Sequence, residues 1–184
     1  MFGVILYGPP ASGKDTVTEE LKRLDGRYRQ FERLKSGSGR SRGYRMTTES
    51  AIDDLRSRGE VIWENRRYGA LYVVDRPSLV QSLGTGIPVL HLGQVEAVGA
   101  VIGAIPDAAW LTVSLWCPRD VAATRLIGRG STDMHDRLRA WDETEPLPTA
   151  DLIINTAEIS AQQAAQAINA AHLGRAGGNE RSNH

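Results

Sequence analysis

The stretch Gly8-Pro9-Pro10-Ala11-Ser12-Gly13-Lys14-Asp15-Thr16 is the part of this chain that decides its fold. It follows the apolar run Val4-Ile5-Leu6-Tyr7 and leads into a helical pattern that begins near Lys14. The spacing G-x-x-x-x-G-K between a strand and a helix is typical of a loop whose backbone N–H groups surround a β-phosphate. The lysine then reaches the β- and γ-oxygens, and the positive end of the helix dipole points at the same charge. The sequence therefore predicts a binding site for a nucleoside triphosphate.

The residue types in this loop suit a site for phosphate and Mg²⁺. Gly8 and Gly13 allow backbone angles and close approaches that a Cβ would block, and the two prolines stiffen the loop. Asp15 stands where most such loops place a Ser or Thr hydroxyl on Mg²⁺, so either its carboxylate meets the metal through water or Thr16 supplies a hydroxyl. The residues expected to bind the nucleotide and its Mg²⁺ ion are Gly8, Pro9, Pro10, Ala11, Ser12, Gly13, Lys14, Asp15 and Thr16.

The bulk composition limits the class of protein. A chain of 184 residues can fill one core, which favours a single α/β unit with a small subdomain. Its formal net charge of zero argues against a general binder of nucleic acid or of membrane surfaces. The single cysteine, Cys117, excludes an intrachain disulfide, and no run approaches the ~18 apolar residues of a membrane span. We expect a cytoplasmic protein, either a monomer or a homodimer.

Apolar runs alternate with helical patterns along the chain. The runs at 4–7, 89–92, 111–116 and 152–154 do not alternate with polar residues, which predicts buried parallel strands. Helices are expected at 15–24, 49–58, 78–83, 96–105, 119–127 and 159–171. This order predicts an α/β fold with a parallel sheet covered by helices on both faces. The polar, glycine-rich tail at 174–184 is expected to be disordered, which leaves a domain of residues 1–173.

Two stretches depart from this alternation of apolar runs and helical patterns. The first, at 33–43, reads R-L-K-S-G-S-G-R-S-R-G and is followed by a series of aromatic residues, so residues 33–75 are interpreted as an insert that binds a phosphate-bearing acceptor. The alternative is a flexible surface loop. The second, at 125–137, carries arginines on a predicted helix, at the glycines that end this helix and after them. This spacing favours a mobile lid over residues 125–140. The alternative is ordinary helix-surface arginines.

The chain resembles the guanylate kinases and their relative, ribose 1,5-bisphosphate phosphokinase, over about residues 3–172. The resemblance depends on the loop at 8–16, Tyr44 ahead of a Thr-Thr-Glu-Ser helix, the segment Gly59-Glu60-Val61-Ile62-Trp63-Glu64, the arginines at 125–137 and residues 151–155. It implies ATP and Mg²⁺ as cofactors. It also implies that Lys14 holds the transferring phosphate and that Asn155 lies against adenine. The arginines that would clamp phosphates are Arg125, Arg129 and Arg137. The residues that would bind the acceptor phosphate are Arg33, Lys35, Arg42 and Tyr44.

The departures from this family concern guanine recognition. Guanylate kinases read Glu-Trp where this chain has Trp63-Glu64, and Val74 replaces a hydroxyl residue that contacts guanine. A lost polar contact of this kind costs on the order of 1–3 kcal/mol. His91 stands in a strand where the family has aspartate, and it is interpreted as a packed residue. Trp63, Glu64 and Tyr72 remain candidates for the acceptor site. The aromatic group Trp63, Tyr68 and Tyr72 favours a nucleotide acceptor, because a nucleobase needs aromatic surfaces to stack on.

The sequence thus predicts a Mg·ATP-dependent kinase whose acceptor already carries a phosphate. An anionic phosphate oxygen needs no general base, so alignment and charge neutralisation suffice. A nucleoside monophosphate, GMP or an unusual analogue, is preferred as acceptor over ribose 1,5-bisphosphate. A catalytically inactive binding module is the alternative of a different class, but it would have no need of Lys14 or the lid arginines. A GTPase-like switch would need an N-K-x-D element, which the sequence lacks.

Overall fold

A computed structural model of the chain describes residues 1–131 and 133–180. Its strands are β1 (Phe2–Tyr7), β2 (Tyr28–Gln30), β3 (Arg33–Gly37), β4 (Tyr44–Met46), β5 (Val61–Arg67), β6 (Ala70–Asp75), β7 (Ile87–Leu92), β8 (Ala109–Trp116) and β9 (Leu152–Asn155). Its helices are α1 (Lys14–Leu24), α2 (Glu49–Ser57), α3 (Arg76–Thr85), α4 (Val95–Ala104), α5 (Arg119–Gly128), α6 (Met134–Asp142) and α7 (Ala161–Glu180).

The central sheet has five strands in the order β2-β7-β1-β8-β9, and all of its pairings are parallel. The apolar runs predicted four of these strands, β1, β7, β8 and β9, and the parallel α/β fold is confirmed. Only the short β2 was not expected. The phosphate-binding loop follows β1 and therefore lies at the carboxyl edge of the sheet, between the ends of β7 and β8.

Helices cover both faces of this sheet, and β1 supplies side chains to each. Val4 and Leu6 pack against residues of α1 and α7, whereas Ile5 and Tyr7 pack against residues of α3 and α4. Successive residues of a strand point to opposite faces, so a strand buried on both sides must be apolar throughout. This is why the run that precedes the loop does not alternate.

A second sheet, in the order β4-β3-β6-β5, is built from residues 33–75. Strands β3 and β4 are parallel, whereas β6 pairs antiparallel with both β3 and β5. The predicted Gly/Ser/Arg loop is therefore shorter than 33–43, since Arg33–Gly37 is a strand. Strand β3 forms because its partner β6 is buried along its whole length and because Leu34 packs in a small cluster with Ile52 of α2.

The second sheet shares its core with the central one. Val74 of β6 is fully buried and belongs to the same apolar cluster as Ile5 and Leu92, and Trp63 packs against that cluster. Arg45 of β4 also pairs with Asp75, whose other carboxylate oxygen accepts from the backbone N–H of Ser78 at 3.1 Å and so caps α3. These contacts fix the residues of β3 to β6 relative to the phosphate-binding loop.

The last helix differs from the prediction. It was expected to end at residue 171 and to be followed by a disordered tail at 174–184, but α7 continues to Glu180, and residues 181–184 lie outside those described. The Arg175 guanidinium pairs with Asp151 and donates to the carbonyl of Trp110 at 2.7 Å, which holds this part of the helix on the sheet. None of the described helices is long and apolar enough to cross a bilayer.

Substitution of Gly8 tests the packing of the loop against the sheet. Its φ is +149°, and a Cβ built there would lie 2.0 Å from the backbone oxygen of Leu115. We expect Gly8→Ala to lower the free energy of unfolding by about 2–4 kcal/mol, because neither backbone can move freely. The measurement is urea denaturation.

Gly99→Ala is the matched control. Gly99 lies inside α4, and a Cβ there meets nothing within 4 Å. Alanine is a better helix former than glycine, so this variant should gain up to about 1 kcal/mol. Equal stability of the Gly8→Ala variant and the unchanged chain would contradict the packing argument.

Candidate functional site

The loop between β1 and α1 has the backbone that a phosphate site requires. Gly13 adopts φ +93° and directly precedes α1, and Ala11 has φ +62°, so the chain turns twice through left-handed conformations. Gly13 has no side-chain cap for the helix. The free N–H groups at the start of α1 are therefore available to an anion.

Lys14 directs its ammonium back across the loop. Its Nζ donates to the carbonyl oxygens of Gly8 at 2.6 Å and Pro9 at 2.8 Å, and lies 3.3 Å from the Ser12 hydroxyl. Burial lowers the pKa of Lys14 to about 8, an effect that Asp15 partly opposes. A buried ammonium of this kind gains strongly from a phosphate anion.

A cavity of about 580 Å³ opens from this loop. It runs from the phosphate-binding loop to β3, β5, β6 and the start of α6. Cationic side chains outnumber carboxylates along it: the cations are Lys14, Arg33, Lys35, Arg40, Arg42, Arg67, Arg129 and Arg137, and the carboxylates are Asp15, Asp133 and Asp136. A cavity with this excess of positive charge suits ligands with several phosphate groups.

Asp15 contacts two partners beside the loop. Its carboxylate lies 3.3 Å from the Arg40 guanidinium and 3.4 Å from Nδ1 of His91. These contacts, with the His91 hydrogen bond first among them, hold the pKa of Asp15 well below its usual range, so the carboxylate is ionised. Burial lowers the pKa of His91, whose Nε2 lies 2.7 Å from the hydroxyl of Thr18. His91 is packed, as expected, but it also lines the cavity and orients Asp15.

Two tyrosine rings in tilted contact lie among the predicted acceptor residues. The rings of Tyr44 and Tyr72 lie 5.3 Å apart, and the Arg33 guanidinium lies over both, at 5.8 and 5.3 Å from their centroids. The Lys35 ammonium lies 5.7 Å from each ring centroid. All four residues line the cavity. The rings hold the two cations in place, and no carboxylate among the described residues pairs with Arg33.

Lys35 also shapes the loop that follows β3. It is 2% exposed, and its Nζ donates to the carbonyl oxygens of Ser38 at 2.6 Å and Arg40 at 2.8 Å. Burial lowers its pKa. The loop thereby presents Arg40 and Arg42 to the cavity. Lys35 therefore positions this loop as well as adding positive charge.

The lid arginines separate into two groups. Arg129 and Arg137 line the cavity, and Arg137 pairs with Asp133 at 2.7 Å and lies 5.2 Å from the Tyr68 ring centroid. Arg125 does not line the cavity. Its guanidinium donates to the carbonyl of Ala11 at 3.0 Å and to the hydroxyl and carbonyl of Thr156 at 2.9 and 2.7 Å. The structure therefore does not place Arg125 in the cavity with the other two arginines, because its donors fasten the phosphate-binding loop to the β9–α7 loop.

Two predicted acceptor residues also lie away from the cavity. Trp63 packs in the core beneath it, and Glu64 faces the other side of β5, where its carboxylate is 2.8 Å from the Arg56 guanidinium. Neither residue therefore lies at the cavity, where both were expected. Alternation along β5 turns the Glu64 side chain outward, and Trp63 packs in the core that the two sheets share. Val74 is likewise in the core. None of these three positions presents a group to a guanine base in the cavity.

The remaining nucleotide residues lie around the loop. Asn155 precedes Thr156, which contacts the loop, but its side-chain amide donates to Glu158 at 2.7 Å and accepts from the N–H of Ala157 at 3.0 Å. Thr16 is exposed and lines a neighbouring recess rather than the main cavity. Asp15, ionised and beside Lys14, thus fits a hydrated Mg²⁺ ion better than Thr16 does. Pro10, Ala11 and Ser12 line the cavity, whereas Pro9 contributes its carbonyl to Lys14.

The candidate site residues left out several that line the cavity, namely Gln30, Arg40, Asn65, Arg67, Gln94 and Thr144. Alternation along β5 could have found Asn65 and Arg67, which share a face. Tyr68, which was expected to offer a stacking surface, lines the cavity from the β5–β6 turn, where it adopts φ +52°. Gln94 lies in the connection between β7 and α4, and Thr144 follows α6, a helix that was not predicted.

Solved structures of kinases have a similar fold. Guanylate kinase from Anaplasma phagocytophilum matches with a TM-score of 0.60 and 15% identity, over 95% of this chain and 85% of that chain. A gluconokinase from Sinorhizobium meliloti 1021 matches with a TM-score of 0.57 and 17% identity, over 99% of this chain and 97% of that chain. No family model matches the chain, and no curated protein matches its sequence. The chain therefore has the α/β fold of the P-loop kinases.

Proposed function

We propose that the protein is a Mg·ATP-dependent kinase that transfers the γ-phosphoryl group to a phosphate already present on a small acceptor. The observation that carries this proposal is the continuity of one cavity from Lys14 to the Arg33, Tyr44 and Tyr72 group. A donor phosphate bound at Lys14 and an acceptor phosphate bound at the tyrosine group would meet inside the same cationic cavity. Two phosphates held in line are what phosphoryl transfer requires.

The donor end is built to hold a triphosphate. The N–H groups at the start of α1 would bind phosphate oxygens, and the Lys14 ammonium would exchange its contacts with the carbonyls of Gly8 and Pro9 for such oxygens. Mg²⁺ supplies further neutralisation of the phosphate charge when it is bound, and Asp15 would hold it through water. Arg125 supports this end indirectly, since it fixes the carbonyl of Ala11.

The acceptor end supplies charge without a general base. Arg33 stacks on tyrosine rings and so keeps its N–H donors for an anion, and Arg42 adds a second cation. Arg129 and Arg137 border the space between the two ends and would stabilise the charge that develops on the moving phosphoryl group. The nucleophile is a phosphate oxygen that is already anionic at neutral pH.

A nucleoside monophosphate is the acceptor that we propose first. Tyr68 and Tyr72 offer aromatic surface in the cavity, and a base can use it by stacking. Since Trp63, Glu64 and Val74 contribute nothing to the cavity, an analogue other than GMP is favoured. The excess of cationic side chains supports a second candidate, ribose 1,5-bisphosphate, whose transfer product is 5-phosphoribosyl diphosphate.

The test is ADP release from Mg·ATP with GMP, dGMP, AMP, CMP, UMP and ribose 1,5-bisphosphate, with the products identified by mass. A nucleotide product supports the first candidate, and a sugar diphosphate product supports the second. ATP binding without transfer to any of the six would instead support a binding module and would contradict the proposal for these acceptors.

Replacement of Lys14 tests the donor end. We expect Lys14→Ala to lower the rate of transfer by about a hundredfold or more, because the loop loses its buried cation. The rate is measured as ADP release with the best acceptor, and circular dichroism checks the fold. Lys22→Ala, which removes an exposed lysine of α1, is the control and should keep the full rate. A Lys14→Ala variant that turns over normally would rule the kinase proposal out.

The pH dependence of ATP binding tests the ionisation of Lys14. Its pKa of about 8 means that the ammonium deprotonates as the pH rises through 8, so the affinity for ATP should fall by up to about tenfold per pH unit above it. Calorimetry between pH 7 and 9.5 measures this. Lys14→Arg keeps its charge throughout and should give a flat profile. A flat profile for the unchanged protein would contradict this assignment.

A further inference from the structure

One ion pair connects the phosphate-binding loop to the loop between β3 and β4. The Arg40 guanidinium, from the second of these loops, lies 3.3 Å from Oδ2 of Asp15 in the first turn of α1. Both residues line the cavity, and both also line the recess that Thr16 borders. The two side chains are 52% and 42% exposed, so the pair lies open to solvent. Two parts of the site are thus in direct contact through an accessible ion pair.

The carboxylate of Asp15 has a protein partner on each oxygen. Oδ2 faces Arg40, and Oδ1 lies 3.4 Å from Nδ1 of His91. The imidazole is fixed, since its side chain is 12% exposed and its Nε2 lies 2.7 Å from the Thr18 hydroxyl. The contact with Arg40 is the weaker one, because ion pairs between exposed groups contribute little to stability. Arg40 is therefore the partner that would give way to a hydrated Mg²⁺ ion at Asp15.

The backbone of Arg40 is held independently of its guanidinium. Its carbonyl oxygen accepts from the buried ammonium of Lys35 at 2.8 Å. Loss of the contact with Asp15 would therefore release the side chain without releasing the loop. The freed donors would remain in a cavity that Arg33 and Arg42 also line. A phosphate of the acceptor is the group that such donors bind best, because it matches a guanidinium in charge and geometry.

We propose that Arg40 competes with Mg²⁺ for Asp15 and, once released, binds the phosphate of the acceptor. This inference rests on the proposed function, since it takes the metal at Asp15 and the acceptor phosphate in the same cavity. It couples the two substrates through a single contact. Coupling between two sites is reciprocal, so an acceptor phosphate on Arg40 would raise the affinity of the site for the metal by the same factor. The weakness of an exposed ion pair limits that factor to about three- to fivefold.

The test is calorimetric binding of AMP-PNP, an ATP analogue that is not hydrolysed, with Mg²⁺ and with EDTA. The ratio of the two affinities, the metal ratio, measures what Mg²⁺ contributes. We expect Arg40→Gln to raise the metal ratio about three- to fivefold, because the competing cation is gone. Asp15→Asn should lower it, and the addition of Arg40→Gln should then change nothing, because both residues act through one contact. An unchanged ratio in Arg40→Gln, or an equal rise in the Asp15→Asn background, would overturn the inference.

Arg42→Gln is the matched control. Arg42 belongs to the same loop and lines the same cavity and recess, but it pairs with no carboxylate among the described residues. Its replacement should leave the metal ratio unchanged. A rise as large as that of Arg40→Gln would mean that the loss of any nearby cation favours Mg²⁺, which would contradict a specific competition for Asp15.

Inorganic phosphate tests the connection to the acceptor. With AMP-PNP at the donor end, an excess of phosphate should raise the metal ratio of the unchanged protein about threefold, because it holds Arg40 away from Asp15. Arg40→Gln should show no such rise. No effect in the unchanged protein, or an equal effect in Arg40→Gln, would overturn this connection. Failure of AMP-PNP to bind at all is a different result, since it would contradict the proposed function itself.

Discussion

The burial of one ammonium, that of Lys14, is the constraint on which the rest of the site depends. Its Nζ lies between the carbonyls of Gly8 and Pro9, which can face it only because Gly8 brings the loop against the backbone of β8. Arg125 and Thr156 hold the same loop from the other side. Contacts with the protein's own backbone therefore define the loop's shape, and a bound phosphate would exchange with the carbonyls that now face Lys14.

Positive charge in the acceptor half is held in a different way. Arg33 and Lys35 lie against the tyrosine pair, and Lys35 is further anchored by backbone carbonyls. Aromatic faces and carbonyls position a cation without neutralising its charge, whereas a carboxylate would compete with a phosphate for the same donors. Arg40 and Arg137 do have carboxylate partners, Asp15 and Asp133, and a bound phosphate would have to compete with these.

Local sequence predicted the central sheet and the phosphate-binding loop because their signals are local, namely unbroken apolar runs and one glycine spacing. The second sheet could not be predicted in this way, since β3 forms through long-range pairing with β6 and Leu34 is its one apolar side chain. Arg125 and Arg129 are one helical turn apart, yet Arg129 follows the end of α5 and lines the cavity, whereas Arg125 binds the backbone of Ala11 and Thr156. The placement of Trp63 and Glu64 depends on which face of β5 meets the core. The pairing of β5 with β6 is irregular between Val61 and Trp63, so simple alternation from the start of the strand does not predict that face.

The central claim is that donor and acceptor phosphates share one cavity. Binding of adenosine 5′-pentaphosphate, whose two additional phosphates can enter the acceptor end without requiring a particular base, measured by calorimetry against ATP alone, tests it most directly. Linkage makes the second contact intramolecular, so we predict one molecule bound per chain, at least about a hundredfold more tightly than ATP. Affinity no greater than that of ATP, or two molecules bound per chain, would contradict the account.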